Sequence, residues 1–336
     1  MSLAIGLIGA TGIAERTMIR PSREYDDVSV RAVAASAPDR AGEYARRHAI
    51  PHVHACYEDL IDDPAVDLVY ISLHTAGHAR WAERAARAGK HVVVEKPLCL
   101  TRQELSAIGA AQRHGGGHVL EALPTLGHPW HRTVREWLRS GTFGELVDVR
   151  SRFDFAVQPG PGYRWRPDLG GGCFYDSAGY WLQALQDTVG ITDARGTGHS
   201  DFDGFGGVDR RFSAALALPS GRRATLECSF GTSRTTEHMY VFREGTVRIR
   251  GVLLPVAGAV SLNITVVARD GSRTVTRTPA VSYYTQQFAR IRALLRQEGT
   301  HWGAELGAAE PRIALMDRIH EAARRQMSGS VTEERN

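Results

Sequence analysis

The first 120 residues alternate short apolar runs with segments of helical spacing. Five runs rich in Val and Ile are too short for helices and predict strands. They are AIGLIG at 4–9, VSVRAVAA at 28–35, VDLVYIS at 66–72, HVVVE at 91–95 and GHVLEA at 117–122. The segments between them, such as DRAGEYARRH and HARWAERAARAG, have helical periodicity, and glycine follows several of their ends. This alternation predicts a parallel sheet covered on both faces, a doubly wound α/β domain.

The pattern changes after residue 123. A helix at 127–140 is predicted, then the strand LVDVRSRFDFAV, the loop QPGPGYRWRPDLGGG and the helix FYDSAGYWLQALQDTVG. From about 207 to 280, alternating segments such as RRATLECSF are separated by short turns containing glycine, which predicts antiparallel strands. Two helices, at 284–298 and 309–327, are predicted to follow, and the tail from 328 to 336 is predicted to be frayed.

Length and composition favour two domains. A chain of 336 residues with 43% apolar residues is too long for one ordinary core, so we expect domains at 1–123 and 124–327. The C-terminal helix could also pack back on the first domain. The N-terminus lacks a basic region before its apolar run, and no stretch approaches 18 apolar residues, so we expect a soluble, cytoplasmic protein with no membrane partner.

Cysteine spacing and charge exclude several classes of site. The four cysteines are scattered without a CxxC pair, which argues against a zinc ribbon or a disulfide framework. The net charge of +4 is only mildly basic, and Arg is interspersed with Asp and Glu. Nucleic-acid binding is therefore not favoured, whereas an anionic small ligand is compatible.

A glycine-rich turn follows the first strand. Gly9, Thr11, Gly12, Ile13 and Ala14 lie where a helix N-terminus would present backbone N–H groups to a pyrophosphate. The match to G-x-G-x-x-G/A is imperfect because Thr11 stands in place of the second glycine. Its position after the first strand favours dinucleotide binding over a merely tight turn.

The end of the second strand helps to choose between the dinucleotides. An NAD site usually has an acidic residue there, but this chain has Ala35 and Ser36, followed by Arg40. A hydroxyl and a guanidinium suit a 2′-phosphate. The sequence therefore favours NADP(H) over NAD(H).

Of 41 basic residues only two are lysines, Lys90 and Lys96. Arginine is always charged, whereas lysine is a compact ammonium whose pKa follows its surroundings. Lys90 precedes the fifth strand and is interpreted as a solvated connecting residue. Lys96 follows the carboxyl end of that strand, where open α/β sheets bind ligands, and Pro97 fixes the backbone after it. Lys96 is therefore a candidate catalytic residue.

Three segments together resemble the Gfo/Idh/MocA oxidoreductases: GLIGATGIA, AGKHVVVEKP and GGGCFYDSAGYW at 170–181. The resemblance implies an N-terminal Rossmann domain and a C-terminal α/β domain with a large, open, mostly antiparallel sheet used for substrate binding and oligomerisation. It implies that Lys96 polarises the substrate oxygen and that the Lys96–Pro97 bond is cis. Many members end the later motif in His, and here Tyr180 takes that place, as in the branch with dihydrodiol dehydrogenase and the sugar-nucleotide 3-ketoreductases. Tyr180 is thus the expected proton donor, and Asp176 lies one helical turn before it.

The stretch after the fourth strand departs from the family. Members often have P-N-x-x-H, and this chain has His74, Thr75 and His78 in HTAGH. Cofactor contacts are nevertheless expected there and at the fifth strand, from Leu73, His74, His78, Glu95, Lys96 and Pro97. No metal site is expected, because the histidines lack supporting carboxylates. A short-chain dehydrogenase is excluded because neither lysine has a Tyr four residues before it.

The loop before the glycine run resembles the R-W-R-P segment of the Tyr branch. Arg164 and Arg166 are candidate contacts to a substrate phosphate or hydroxyl, and Trp165 is a further candidate that could equally pack. The resemblance implies hydride transfer between NADP(H) and a ring carbon of a sugar or sugar nucleotide, for example by a 3-ketoreductase of deoxysugar biosynthesis. A dihydrodiol or free-aldose dehydrogenase and a catalytically silent NADP-binding sensor remain alternatives, and a homodimer or homotetramer is expected.

Overall fold

The computed structural model of the protein describes residues 2–219, 221–296 and 302–333. The chain divides into two compact units, one formed by residues 1–124 and 284–313 and the other by residues 125–283 and 314–336. Residues 284–313, which were expected in the second domain, thus belong to the first unit. The reason is apolar packing, because Phe288 and Ile291 are buried in the same core as Leu7 and Val33.

The first unit contains a six-stranded parallel sheet in the order β3-β2-β1-β4-β5-β6. The strands are β1 Leu3–Ile8, β2 Val28–Ala34, β3 His52–Val53, β4 Leu68–Ile71, β5 His91–Glu95 and β6 Val119–Ala122. The predicted parallel sheet is confirmed. The two-residue β3 has no apolar run, which is why periodicity did not indicate it.

Helices connect these strands and pack on the sheet. Helix α1 consists of α-helical Gly12–Ala14, π-helical Glu15–Ile19 and α-helical Arg20–Ser22. The others are α2 Pro38–His48, α3 Tyr57–Asp62, α4 His78–Arg87 and α5 Arg102–Gly115. The helix α8 Tyr283–Arg296 follows much later in the chain. Helix α5 begins with a capping box in which Thr101 and Glu104 bond each other's backbone N–H groups.

The second unit contains an eight-stranded sheet in the order β14-β13-β12-β11-β7-β10-β9-β8. The strands are β7 Leu146–Ala156, β8 Arg195–His199, β9 Arg211–Ala217, β10 Arg223–Gly231, β11 Thr235–Phe242, β12 Gly245–Arg250, β13 Asn263–Ala268 and β14 Arg273–Arg277. All neighbours pair antiparallel except β7 and β10, which are parallel. The expected large, mostly antiparallel sheet is therefore confirmed.

Two helices pack against this sheet, α6 Pro129–Ser140 and α7 Cys173–Thr188. Their buried faces meet the alternate buried residues of the strands, with Trp130, Trp181 and Phe153 fully enclosed. Residues on the other face of the central strands are partly or fully exposed.

Helix α9, Trp302–Glu333, is longer than predicted and continues through residues 328–333, which were expected to fray. Residues 334–336 lie outside the described part of the chain. Within the described ranges, no helix has the length and apolar character needed to cross a membrane.

Candidate active site

The glycine-rich turn joins β1 to α1 at the carboxyl edge of the parallel sheet. Gly9 has φ +110°, and a Cβ on it would lie 2.8 Å from the carbonyl oxygen of Ser72. No L side chain therefore fits at this position without strain. At Gly12, which is exposed, a Cβ would have no heavy atom within 4 Å. The turn thus has open space beside the first N–H groups of α1.

Thr11 occupies the position of the missing second glycine, and its side chain folds back into the protein. Its Oγ1 accepts a hydrogen bond from the Ala14 N–H (3.2 Å) and shares one with Ser72 Oγ (2.8 Å). Thr11 therefore caps the helix. The N–H groups of Gly12 and Ile13 belong to the first turn, where backbone donors have no helical carbonyl to bind. A dinucleotide pyrophosphate fits this arrangement, since donors and open space remain where an anion would approach.

The residues expected near the adenosine ribose follow β2. Ser36 and Arg40 are both exposed, and Arg40 Nη1 donates to Ser36 Oγ at 3.4 Å. The buried Tyr44 in the next helical turn donates from its hydroxyl to the Thr11 carbonyl (2.8 Å), which joins this region to the glycine-rich turn. A hydroxyl and a guanidinium therefore lie together on the surface at the end of β2.

His78 is buried between two backbone carbonyls. Its Nδ1 lies 2.8 Å from the carbonyl oxygen of Pro97 and its Nε2 lies 3.1 Å from that of Leu73. Burial lowers the pKa of His78 to about 4, although both carbonyls favour the protonated form. A neutral imidazole has one N–H, so it donates to one of these oxygens. His74 is half-buried, and its ring lies beside Gly77, 3.1 Å from where a Cβ would be.

The segment from Glu95 to Leu98 carries the candidate lysine. The Lys96–Pro97 peptide bond is cis, as the family resemblance implies. The buried Tyr70 hydroxyl donates to Glu95 Oε1 (2.5 Å), and the hydroxyl of Thr17 donates to Tyr70 (2.8 Å). Burial raises the pKa of Glu95 above its usual value, and the Tyr70 hydrogen bond and the nearby Lys96 ammonium act in the opposite direction.

Lys90 has a structural contact. Its ammonium donates to the carbonyl oxygens of Asp63 (2.7 Å) and Val66 (2.6 Å). Lys90 lies just before β5, at the edge of the sheet opposite Lys96. Lys90 therefore has a structural contact, but the expectation that it is solvated is wrong, because its ammonium binds the turn before β4.

The second unit carries the other candidate residues on helix α7. Gly172 precedes this helix with φ +115°, and a Cβ on it would lie 1.9 Å from Asp209 Oδ1. The Oδ2 atom of Asp209 accepts a hydrogen bond from the N–H of Phe174 in the first turn (2.7 Å). Asp209 is fully buried, and burial raises its pKa to about 7. The glycine run thus lets a carboxylate approach the start of α7.

Asp176 and Tyr180 lie one turn apart on α7, and both are partly exposed. The Nε of Arg164 donates to Asp176 Oδ2 at 2.7 Å. Asp176 raises the pKa of Arg164, and the nearby Tyr180 phenol acts in the same direction. The Tyr180 ring stacks on Phe153 with their centroids 6.1 Å apart. The structure therefore brings an acid, a phenol and a guanidinium together within this unit.

The two remaining residues of the loop have other contacts. Trp165 is 2% exposed, its Nε1 donates to the Gln158 carbonyl (2.8 Å), and its ring packs against Phe230. This placement favours the packing role for Trp165 over a substrate contact. Arg166 is exposed and forms a two-point ion pair with Asp168. Among the described residues, no group of three or more His, Cys, Asp or Glu could hold a metal ion.

Comparison with known proteins agrees with this geometry. Residues 3–121 match the oxidoreductase family with an NAD-binding Rossmann fold, and residues 131–251 match the GFO/IDH/MocA C-terminal domain. The chain belongs to the Gfo/Idh/MocA family of oxidoreductases. Together the two matches cover most of the chain, so the family resemblance stated from sequence motifs is confirmed.

Several relatives within the Gfo/Idh/MocA family are similar along much of the chain. A D-xylose 1-dehydrogenase (NADP(+)) of Haloferax volcanii is 31% identical over 96% of this chain and 97% of its own. The dTDP-3,4-didehydro-2,6-dideoxy-α-D-glucose 3-reductase of Actinomadura kijaniata is 30% identical over 74% of each chain. A crystal structure of a 3-ketoreductase from Actinomadura kijaniata, in complex with NADP and TDP-benzene, has a TM-score of 0.86 at 25% identity and covers 96% of this chain and 98% of its own.

Sequence reasoning missed residues that bind the segments carrying the candidate side chains. Tyr70 binds Glu95, Glu121 binds the Leu98 N–H, Arg312 binds Glu121, and Asp209 binds the Phe174 N–H. Tyr70 and Glu121 both lie within apolar runs, and a polar residue in a buried strand was a signal that could have identified them. Arg312 and Asp209 act on segments far away in sequence, so no local pattern could have indicated their contacts.

Proposed function

We propose that the protein is a cytoplasmic NADP(H)-dependent oxidoreductase that reduces or oxidises a ring carbon of a sugar or sugar nucleotide. A 3-ketoreductase acting on a nucleotide-linked deoxysugar is the form that we favour. The observation that carries the proposal is that Lys96, after β5, follows the same carboxyl edge of the Rossmann sheet as the open glycine-rich turn after β1. Four free cysteines support a reducing compartment.

The proposed chemistry needs one proton and one stabilised oxygen. When bound, the nicotinamide supplies or accepts the hydride. In the reductive direction Tyr180 donates a proton to the carbonyl oxygen, and Lys96 donates a hydrogen bond to the same oxygen as negative charge develops there. Asp176 binds Arg164 close to Tyr180, and the guanidinium would stabilise the phenolate left after proton transfer.

The relatives favour sugars as the substrate class. The Actinomadura reductase is named for a dTDP-linked keto sugar, and the structure of a ketoreductase from that organism was solved with a TDP compound. A free-aldose dehydrogenase is the second candidate, since the xylose dehydrogenase matches along nearly its whole length. A mouse trans-1,2-dihydrobenzene-1,2-diol dehydrogenase, 29% identical over 76% of this chain and 77% of its own, keeps the dihydrodiol alternative open.

A substrate panel separates these candidates. Purified protein is assayed by nicotinamide absorbance with dTDP-linked 3-keto sugars, with free aldoses and with trans-dihydrodiols. We expect the highest kcat/KM with a nucleotide-linked sugar. Faster turnover of xylose or glucose would favour the free-aldose function, and no turnover with any class would favour the silent NADP-binding sensor.

Ser36 and Arg40 support NADP(H) as the preferred cofactor. A contact between Arg40 and the 2′-phosphate should contribute about 1.5–3 kcal/mol, or roughly 10- to 150-fold in Kd. We therefore expect Arg40→Ala to weaken NADPH binding by that factor and to leave NADH binding within about twofold. Fluorescence titration with both cofactors measures this, and equal losses for NADPH and NADH would contradict the assignment.

We also propose that the protein is a homo-oligomer that associates through the exposed face of the second sheet. Glu227, Arg152, Glu237 and Arg250 form one cross-strand row of alternating charge on that face. Such a row can pair with the same row of a second copy. Light scattering is expected to give the mass of a dimer or tetramer, and Arg152→Glu should weaken the association between copies. A monomer at micromolar concentration would refute the proposed association.

A further inference from the structure

A buried ion pair of the first unit lies next to the backbone that carries Lys96. Arg312 of α9 donates from Nη2 to Glu121 Oε2 at 2.7 Å. The two side chains are only 8% and 5% exposed. The other carboxylate oxygen of Glu121 accepts the backbone N–H of Leu98 at 3.1 Å. Leu98 is two residues after the candidate catalytic lysine.

This contact completes a set of three that fix the Lys96 segment. Before the lysine, Tyr70 holds the Glu95 carboxylate. After it, His78 Nδ1 lies 2.8 Å from the Pro97 carbonyl oxygen, and Glu121 accepts the Leu98 N–H. The first two contacts are made by Tyr70 of β4, the strand paired with β5, and by His78 of α4, the helix that follows β4. The third depends on a cation 191 positions away from its partner in sequence.

We propose that Arg312 and Glu121 form a positioning pair for Lys96. Arg312 fixes the Glu121 carboxylate at an angle that presents Oε1 to the Leu98 N–H. The carboxylate in turn fixes the backbone from which the Lys96 side chain extends. Neither residue touches the reacting atoms, and their effect on turnover passes through the lysine. This inference rests on the proposed catalytic role of Lys96.

Burial is the reason to expect a functional effect from this pair. A carboxylate and a guanidinium inside a protein are strongly oriented by each other, and loss of one leaves the other buried without its counter-charge. A second ion pair between α5 and α9, Arg102 with Glu310, is 59% and 48% exposed. Exposed pairs contribute little. Arg102→Gln is therefore a matched control for Arg312→Gln.

The experiment compares Glu121→Gln, Arg312→Gln, Arg312→Lys and Arg102→Gln, each in the wild-type and in the Lys96→Met background. Turnover is measured with the best substrate of the panel, below the onset of thermal unfolding of each variant. We expect Glu121→Gln and Arg312→Gln to lower kcat roughly 10- to 100-fold, because displacements near 1 Å have effects of this size. Cofactor Kd should stay within about twofold, Arg312→Lys should recover part of the loss, and Arg102→Gln should match the wild type.

The double variants decide between positioning and general stability. In the Lys96→Met background, Glu121→Gln and Arg312→Gln should cause no further loss of kcat. Two results would overturn this inference and leave the proposed function standing. One is an equal loss of kcat in both backgrounds, and the other is an unchanged kcat of both Gln variants in the wild-type background while Lys96→Met itself is slow. Unchanged turnover in Lys96→Met would instead refute the proposed function. If neither Gln variant folds, Arg312→Lys carries the same comparison.

Discussion

Neighbouring side chains restrict both the phenol of Tyr180 and the guanidinium of Arg164 in the second unit. Stacking on Phe153 restricts the ring, while Asp176, one turn earlier, fixes Arg164 through a 2.7 Å hydrogen bond. Arg164 and Arg166 were equal candidates in sequence. The structure distinguishes them, because the partner of Arg166 is the exposed Asp168 and the partner of Arg164 is on the helix of Tyr180.

Replacement of Arg164 should therefore affect turnover more than replacement of Arg166. We expect Arg164→Gln to lower kcat roughly 10- to 100-fold, since Asp176 loses its counter-charge and Tyr180 its neighbouring cation. Arg166→Gln provides the matched control and should lower kcat less than about threefold. Steady-state kinetics of both variants measure this difference, and equal effects on kcat would show that Arg164 has no special relation to Tyr180.

At the scale of elements, the start of α7 is the most constrained segment of the second unit. Gly172 has a backbone conformation that L side chains rarely adopt, and its α-carbon lies against the carboxylate of Asp209. That carboxylate binds the Phe174 N–H and so fixes the helix that carries Asp176 and Tyr180. The placement of Tyr180, the proposed proton donor, thus depends on the glycine that precedes its helix.

A methyl group at this position should be strongly destabilising. We expect Gly172→Ala to lower the free energy of unfolding by about 2–5 kcal/mol, from the strained φ and from overpacking against Asp209. Gly160→Ala, in the loop before it, has no heavy atom within 4 Å of the added Cβ and should change stability by less than about 1 kcal/mol. Urea denaturation of both variants provides the test, and equal midpoints would contradict this account of the glycine.

The sequence predicted elements with strong periodicity and missed those without it. HVVVE at 91–95 is the strand β5 to the residue, because its apolar run is continuous and bounded on both sides. RTVTR is the edge strand β14 and lies within the predicted antiparallel stretch, although every residue in it is exposed. The strand β8, Arg195–His199, lies before that stretch and was missed, because only Gly198 in it is buried. The candidate residues Lys96 and Tyr180 were found through motifs. The contact of Arg312 with Glu121 was not, because long-range contacts leave no local pattern.

For the whole molecule, buried histidines make stability depend on pH. Burial lowers the pKa of His238 to about 3 and lowers to about 4 the pKa of four other histidines, His78, His118, His128 and His320. Unfolded histidine has a pKa near 6.5, so the unfolded chain binds more protons below this value. Their contribution is fully present above pH 6.5 and is lost as the pH falls towards 4. Asp209 acts oppositely, because its raised pKa of about 7 favours the folded state on acidification.

The net effect should be an uptake of about four protons on unfolding near pH 5, five from the histidines less one for Asp209. The free energy of unfolding should then fall by about 1.4 kcal/mol per pH unit for each proton. Urea denaturation between pH 7 and pH 4.5 measures this slope. A free energy of unfolding that does not change over this interval would show that these histidines are not neutral in the folded protein.

The central claim is that Lys96 and Tyr180 act on the same substrate oxygen. Its most direct test is the single-turnover rate of NADPH oxidation in wild type, Lys96→Met, Tyr180→Phe and the double variant, with cofactor saturating. Each single change should slow hydride transfer by roughly 10²- to 10⁴-fold, and the double variant should be about as slow as the slower single variant, because residues that act as a unit are not additive. A rate unchanged by either single substitution, or losses that multiply in the double variant, would contradict the claim.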